Sequence, residues 1–136
     1  MALGLVLAAT AAGLGGCTGR SGPTEPGRLA PGVWGADGAN LTVASDHALL
    51  ELSCAQGTIT GPLVVGEAGA VQADGTFGRV GGAPPPDGIF PSYAARYTGR
   101  LAGDALTLSI LVPATAQELG PFVLRKGQHG RIIYCP

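Results

Sequence analysis

Apolar and polar residues alternate with a period of two along much of the chain. Every second position is apolar in residues 48–54, and residues 106–112 repeat this pattern. Successive side chains of a strand point to opposite faces of a sheet, so the alternation is typical of strands with one buried face. The pattern predicts strands at 33–35, 40–44, 47–54, 58–65, 70–73, 76–80, 94–102, 105–112, 121–126 and 131–135.

Glycine and aspartate stand between these segments. Asp37-Gly38, Asp74-Gly75 and Gly103-Asp104 are typical of hairpin turns, Asn40 is predicted as a turn residue, and 114–119 as a short helical turn. Many short strands separated by tight turns indicate a barrel or a sandwich. We therefore predict an all-β fold, a small antiparallel β-barrel of about eight strands, with a β-sandwich as the alternative.

Composition indicates a folded domain and argues against nucleic acid as its partner. Gly (24) and Pro (11) are abundant among the 136 residues, but an apolar fraction of 46% indicates a folded domain rather than a disordered chain. We assign this domain to residues 33–136. Eight basic and nine acidic residues give a net charge of −1. The chain therefore lacks the excess of basic residues that is typical of nucleic-acid-binding proteins, and we predict no nucleic-acid partner.

The first sixteen residues carry no charged side chain. The apolar run 2–14 would span about 20 Å as a helix, which is less than the roughly 30 Å hydrocarbon core of a membrane. This length is typical of a signal peptide. We therefore predict a signal peptide over 1–16 and export of the protein, with a buried helix as the alternative.

The apolar run ends in Leu14-Gly15-Gly16-Cys17. This sequence resembles the lipobox of bacterial lipoproteins, in which an aliphatic residue and two small residues precede a cysteine that becomes acylated. The resemblance implies that Cys17 is a lipidated N-terminus that anchors the protein in the cell envelope. The chain departs from that family because no Lys or Arg precedes the apolar run. Cleavage near Gly16 by an ordinary signal peptidase, followed by soluble secretion, is the alternative.

Residues 18–32 contain three prolines and no apolar periodicity, which is typical of a linker. With Cys17 they form a predicted tether over 17–32. Fifteen residues of coil have a root-mean-square length of about 20 Å. Such a tether is long enough to hold a small domain clear of the lipid headgroups.

The chain has three cysteines, Cys17, Cys54 and Cys135. If Cys17 carries lipid, two remain, and an oxidising compartment favours their pairing. A Cys54–Cys135 disulfide would close a loop of about 80 residues and stabilise the fold by roughly 4 kcal/mol. Two buried free thiols are the alternative. No second Cys or His lies at metal-ligand spacing from either residue, so we predict no metal site and no cofactor.

Gly32-Val33-Trp34 begins the first predicted strand. It resembles the G-x-W motif of the calycins, the lipocalin-like barrels, in which the tryptophan packs across the closed end of the barrel beneath a basic side chain. The resemblance implies a calycin-like barrel with Trp34 at its end. It also implies that Arg131, at the start of the last predicted strand, points inward and stacks on the indole.

A wider resemblance covers about 100 residues and an uncharacterised group of small exported bacterial β-proteins. Its motifs are Gly-x-Trp-Gly at 32–35, Leu41-x-Val43, Leu50-Glu51-Leu52, Cys54-Ala55-x-Gly57, Ala95-Arg96-Tyr97-x-Gly99, Leu106-Thr107-Leu108, Phe122-x-Leu124-x-x-Gly127 and Cys135. The resemblance supports the strand assignment and the Cys54–Cys135 pairing. It brings no catalytic residue with it.

Few residues have the spacing that a catalytic or ligand-binding site requires. Ser45-Asp46-His47 contains the residue types of a catalytic triad, but sequence neighbours cannot form triad geometry, so we predict a turn. Arg96 and Arg100 lie on one face of a predicted strand, with Thr98 between them. Two guanidinium groups on one face would suit a carboxylate or a phosphate, and a solvated outer face is the alternative.

These observations favour a lipid-anchored protein of the cell envelope whose β-barrel is non-catalytic and binds a small ligand or a protein partner. The alternative is a proteinaceous inhibitor of a secreted protease, because small disulfide-bonded calycin barrels with that role insert their N-termini into the active site. An enzyme is the third class, and no acid–base pair in the sequence supports it. An eight-stranded barrel of this length can be filled by its own side chains.

Overall fold

Eight antiparallel strands follow one another around a closed barrel, in which each strand pairs with its sequence neighbours and β1 pairs with β8. The structure, a computed structural model, describes residues 27–135. The strands are β1 (Gly32–Ala36), β2 (Ala39–Val43), β3 (His47–Leu52), β4 (Ala55–Thr60), β5 (Ala70–Arg79), β6 (Tyr93–Ala102), β7 (Ala105–Val112) and β8 (Gln117–Lys126). The predicted fold class, an all-β, calycin-like barrel, is confirmed, and closure of the sheet rules out the sandwich.

Alternation along each strand separates an inner face from an outer face. In β7 every second residue is buried, and the residues between them are half-buried or, at Leu111, exposed, as the sequence pattern predicted. The inward-facing side chains form one apolar core. Its largest fully buried members are Trp34, Tyr97, Leu41, Leu50, Ile59, Leu106, Leu108, Ile110, Leu124 and Val112.

The predicted helical turn over 114–119 is wrong in its second half, because β8 begins at Gln117. Three strand predictions are also wrong, each because of a contact that local patterning does not reveal. Asp74-Gly75, predicted as a turn, lies inside the single strand β5, which replaces two predicted strands. A side chain at Gly75 would overlap the carbonyl oxygen of Thr58 on β4, so glycine here permits close strand approach rather than a turn. Residues 131–135, predicted as the last strand, lie outside every strand.

The third wrong strand boundary concerns 58–65, because β4 ends at Thr60 and the next apolar residues leave the wall of the barrel. Leu63 is buried beside Leu29, and the backbone N–H of Leu29 donates to the carbonyl oxygen of Leu63 at 3.0 Å. Val65 N–H donates to the carbonyl of Gly27 at 2.7 Å. Residues 27–31 were predicted as part of the tether, but they pack against the folded domain.

The barrel has two distinct ends. The connections β2–β3, β4–β5 and β6–β7 lie at the end where residues 27–31 meet the barrel, which we term the N-terminal end. The connections β1–β2, β3–β4, β5–β6 and β7–β8 lie at the opposite, disulfide end. Short 3-10 helices occur in the β4–β5 and β7–β8 connections. No helix within residues 27–135 has the length and hydropathy of a membrane span.

After β8 the chain turns back along the outside of the barrel. This C-terminal strap (residues 127–135) crosses β1 and β2 and reaches the disulfide end. Gly38, in the β1–β2 turn, donates its N–H to the carbonyl of Arg131 at 2.9 Å. Ile133 N–H donates to the Ser53 hydroxyl at 3.2 Å, in the β3–β4 turn. The strap therefore connects two turns that are separate in the sequence.

Candidate functional site

Trp34 and Tyr97 are aromatic residues of the barrel interior whose side chains also carry a polar group. Trp34 is 2% exposed, and its Nε1 donates to the carbonyl oxygen of Ala30 at 3.0 Å. Tyr97 is fully buried, and its hydroxyl donates to the carbonyl oxygen of Thr76 at 2.6 Å. Burial raises the pKa of Tyr97, because ionisation would place a charge in the apolar core. Both polar groups therefore have hydrogen-bond partners although their side chains are buried in the apolar core.

Arg131 does not lie inside the barrel with Trp34. It is exposed and belongs to the C-terminal strap, so the prediction that it turns inward from a final strand is wrong. The physical reason is the return of the chain after β8, which moves residues 127–135 to the outer surface. Its backbone carbonyl accepts the hydrogen bond from the Gly38 N–H on the outer surface.

The predicted disulfide is present. Cys54 and Cys135 are bonded, with their Cα atoms 5.1 Å apart, within the ordinary range for such a bond. Neither residue closes a strand, contrary to the prediction. Cys54 lies in the β3–β4 turn with a φ of 68°, and Cys135 lies in the C-terminal strap. The bond therefore fastens the strap to a turn at the disulfide end.

Asn40 holds the middle of the strap and was missed as a site residue, since the sequence indicated only a turn. It faces outward from β2 yet is 2% exposed, because the strap covers it. Its Nδ2 donates to the Gly130 carbonyl at 2.9 Å, and Gly130 N–H donates to Oδ1 at 2.6 Å. Gly35, its partner on β1, leaves room for the strap, because a side chain there would overlap Asn40 Oδ1 and the carbonyl of Gln128.

Arg96 and Arg100 both face outward from β6, as predicted, but the structure does not bring them to one small anion. Four residues of a strand place their Cα atoms roughly 13 Å apart. Arg96 Nε lies 3.4 Å from Asp74 Oδ1 on β5, in an exposed ion pair. The guanidinium of Arg96 therefore already has a neighbouring carboxylate, which the sequence pattern did not indicate.

A groove of about 400 Å³ lies on the outer wall beside this ion pair. Asp74, Arg96 and Leu111 stand opposite one another on β5, β6 and β7. Leu111 is 41% exposed, although it is apolar. The groove is lined by Asp74, Gly75, Ala94, Ala95, Arg96, Leu111 and Pro113. It combines one carboxylate, one guanidinium and an apolar wall.

The long β5–β6 connection (residues 80–92) projects from the disulfide end and has an ordered turn of its own. Gly88 N–H donates to the Pro85 carbonyl at 2.8 Å, and Ile89 N–H donates to Asp87 Oδ1 at 3.0 Å. At the base, Val80 N–H donates to the carbonyl of Cys54 at 3.1 Å. Ile89 is nevertheless 68% exposed. The connection therefore presents an apolar side chain on a supported turn.

Ser45-Asp46-His47 lies at the β2–β3 connection. His47 Nδ1 lies 2.7 Å from Asp46 Oδ1, and this hydrogen bond lowers the pKa of Asp46. Both side chains are exposed, and Ala44 N–H closes the turn by donating to the carbonyl of His47 at 2.8 Å. Within residues 27–135, no group of three or more His, Cys, Asp or Glu residues is arranged to hold a metal ion.

The predicted signal peptide (1–16), Cys17 and the first part of the tether lie outside the described residues. Comparisons with protein-family models, with curated proteins and with solved structures find no significant match to this chain.

Proposed function

We propose that the protein is a lipid-anchored module of the bacterial cell envelope, non-catalytic, which recognises its ligand with the outer surface of the barrel. The observation that supports this proposal is the apolar core inside the barrel. Trp34, Tyr97 and the apolar side chains around them occupy the interior, where an open barrel would bind a small molecule. Recognition on the outer wall is compatible with this interior, and the groove beside Arg96 offers a concave site there.

The anchoring part of the proposal rests on Leu14-Gly15-Gly16-Cys17, whose sequence resembles a lipobox. The disulfide supports an oxidising compartment, because such bonds persist mainly outside the cytosol. Nine residues lie between Cys17 and Gly27, and an extended chain with these ten Cα–Cα steps reaches at most about 35 Å. On this proposal the N-terminal end of the barrel stays near the membrane, and the disulfide end is free to meet a partner.

Anchoring is tested by Cys17→Ser in the full-length protein, followed by membrane fractionation. Acyl chains hold a lipoprotein by about 0.8 kcal/mol per buried CH₂, so loss of the acceptor thiol releases the protein into the soluble fraction. Thr18→Ala is the matched control and leaves the protein in the membrane fraction. Membrane association of the Cys17→Ser variant equal to that of the control would contradict the anchor.

A second candidate function, inhibition of a secreted protease, is favoured by the β5–β6 connection. Protein inhibitors act through a supported loop that presents one side chain to a pocket, and Ile89 is presented in this way. Residues 27–31 pack on the barrel, so they are less suited to enter an active site than the sequence indicated.

Assays with trypsin-type, chymotrypsin-type and elastase-type serine proteases test this candidate. Inhibition that Ile89→Asp abolishes supports it. The matched control is Val64→Asp, which changes an exposed apolar residue at the opposite end of the barrel. Absence of inhibition across the three proteases, or inhibition unaffected by Ile89→Asp, would contradict it.

A further inference from the structure

We infer that the groove beside Arg96 binds an aliphatic α-carboxylate that carries a neighbouring N–H group, as in a free aliphatic amino acid or the C-terminal residue of a peptide. This inference deepens the proposed function and rests on it, because it names the ligand class of the outer wall. Three features of the groove support it: the free edge of Arg96, the carboxylate of Asp74 and the apolar wall.

Arg96 uses only part of its hydrogen-bonding capacity. Its single assigned contact within residues 27–135 joins Nε to Asp74 Oδ1 at 3.4 Å. The edge formed by Nη1 and Nη2 has no partner in that part of the chain. Two parallel N–H groups on this edge match the two oxygens of a carboxylate, and such bidentate pairs are among the stronger hydrogen bonds in proteins.

Asp74 restricts which anions suit the groove. Its carboxylate repels a second negative charge beside Arg96, and this repulsion is greater for the phosphate dianion than for a carboxylate. Its Oδ2 has no assigned hydrogen bond within the described residues, so it is able to accept one from a ligand N–H. A ligand with a carboxylate and an adjacent ammonium or amide N–H therefore complements both charged residues.

The rest of the groove is apolar. Leu111 is exposed on β7, opposite Arg96, and Pro113 follows β7 directly. Ala94 faces outward two residues before Arg96 and contributes only a methyl group, which leaves the space beside the guanidinium open. A volume of about 400 Å³ lies within the range of small-molecule sites. An aliphatic side chain placed against Leu111 and Pro113 removes apolar surface from water on both partners.

The test is a titration of the full-length, 15N-labelled protein in detergent micelles, followed by NMR. The probes are N-acetyl-leucine, leucine, the peptide Ala-Ala-Leu, N-acetyl-leucinamide and inorganic phosphate. We expect saturable shifts of the Arg96 side-chain N–H and the Asp74 and Leu111 amides with the first three probes. The leucinamide, which lacks the carboxylate, binds at least about tenfold more weakly, since a charged hydrogen-bond pair is lost. Phosphate binds more weakly than N-acetyl-leucine.

Two variants distinguish binding in the groove from binding elsewhere on the outer wall. Arg96→Gln weakens binding of N-acetyl-leucine by about tenfold or more. Arg100→Gln, the matched control on the same outward face, leaves binding unchanged. Both residues are exposed, and unchanged thermal melting shows that each variant folds. Tighter binding of leucine than of Ala-Ala-Leu identifies a free amino acid as the ligand, and the reverse identifies a peptide C-terminus.

Three results would overturn the inference. The first is that the carboxylate probes cause no saturable shift at millimolar concentration. The second is that N-acetyl-leucinamide binds as tightly as N-acetyl-leucine. The third is that the shifts are confined to residues of β1–β4. The last result would still support recognition on the outer wall, so it contradicts the groove alone. Release of the Cys17→Ser variant from membranes is measured separately, and it tests the anchored module independently of the groove.

Discussion

Asn40 and Gly130 lie 90 residues apart in the sequence, and both polar groups of the Asn40 amide bind the backbone of Gly130. The donor Nδ2 meets the carbonyl oxygen, and the acceptor Oδ1 meets the N–H. One side chain thus supplies the hydrogen bonds that a neighbouring strand would supply. This contact attaches the C-terminal strap to the outer face of the barrel.

We predict that Asn40→Ala lowers the free energy of unfolding by about 1–3 kcal/mol, because it leaves two covered backbone groups of Gly130 without partners. Denaturant melts measure this change, and hydrogen exchange at Gly130 speeds up in the same variant. Thr42→Ala, at an exposed outward position on the same strand, is the control and changes stability little. Equal stability of the two variants would show that the strap is held without Asn40.

We predict that the double variant Cys54→Ala/Cys135→Ala loses roughly 4 kcal/mol of stability, since the unfolded chain gains the freedom of an open loop. The strand pairing is independent of this bond, so amides of β3 to β7 remain protected from exchange in the native state while those of the strap do not. Loss of protection throughout the barrel would contradict this separation.

We predict that Trp34→Ala costs about 3–5 kcal/mol, because the indole is buried and its removal leaves a cavity. Trp34→Phe is the comparison, since it keeps an aromatic ring but removes the donor to the Ala30 carbonyl. We expect it to cost less than the alanine variant. A loss below about 1 kcal/mol for Trp34→Ala in a denaturant melt would show that the indole contributes little to the core.

We predict that stability falls as the pH rises above about 10. Burial raises the pKa of Tyr97 above its ordinary value of 10.0, so the folded protein keeps the phenolic proton where the unfolded chain releases it. The unfolded state then binds fewer protons, and the free energy of unfolding decreases with pH. Tyr97→Phe removes this contribution. Melts between about pH 7 and about pH 11 measure it, and parallel curves for the two proteins would contradict it.

Local alternation of apolar and polar residues predicted most of the barrel. The predicted strand 105–112 has the same boundaries as β7, because the apolar residues Leu106, Leu108, Ile110 and Val112 recur at every second position. Once the lipobox resemblance assigns Cys17 to lipid, two of the three cysteines remain, and Cys54–Cys135 is the one pairing left. These predictions succeeded because they depend on neighbouring residues in the sequence or on the number of cysteines.

What the sequence did not reveal depends on contacts between distant segments. Glycine is required at position 75 within β5 because the backbone of β4 lies close to it. The dipeptide Asp74-Gly75 itself does not distinguish a close strand contact from a turn. Residues 131–135 were predicted as a strand with Arg131 on the same face as Ile133 and Cys135, yet the partners of this segment are turns and a side chain. The Asp74–Arg96 pair of the groove joins residues 22 positions apart, a distance at which the sequence carries no periodic signal.

The disulfide has a mechanical consequence for a protein that is held at one end. A force applied between Gly27 and Cys135 follows the covalent path through β1, β2 and β3 to Cys54, and then crosses the disulfide to Cys135. The backbone between the two cysteines is bypassed and bears none of the covalent tension. The groove lies on β5, β6 and β7, within that bypassed part. Covalent tension between residue 27 and the disulfide end would therefore not pass through the backbone of the three strands that line the groove.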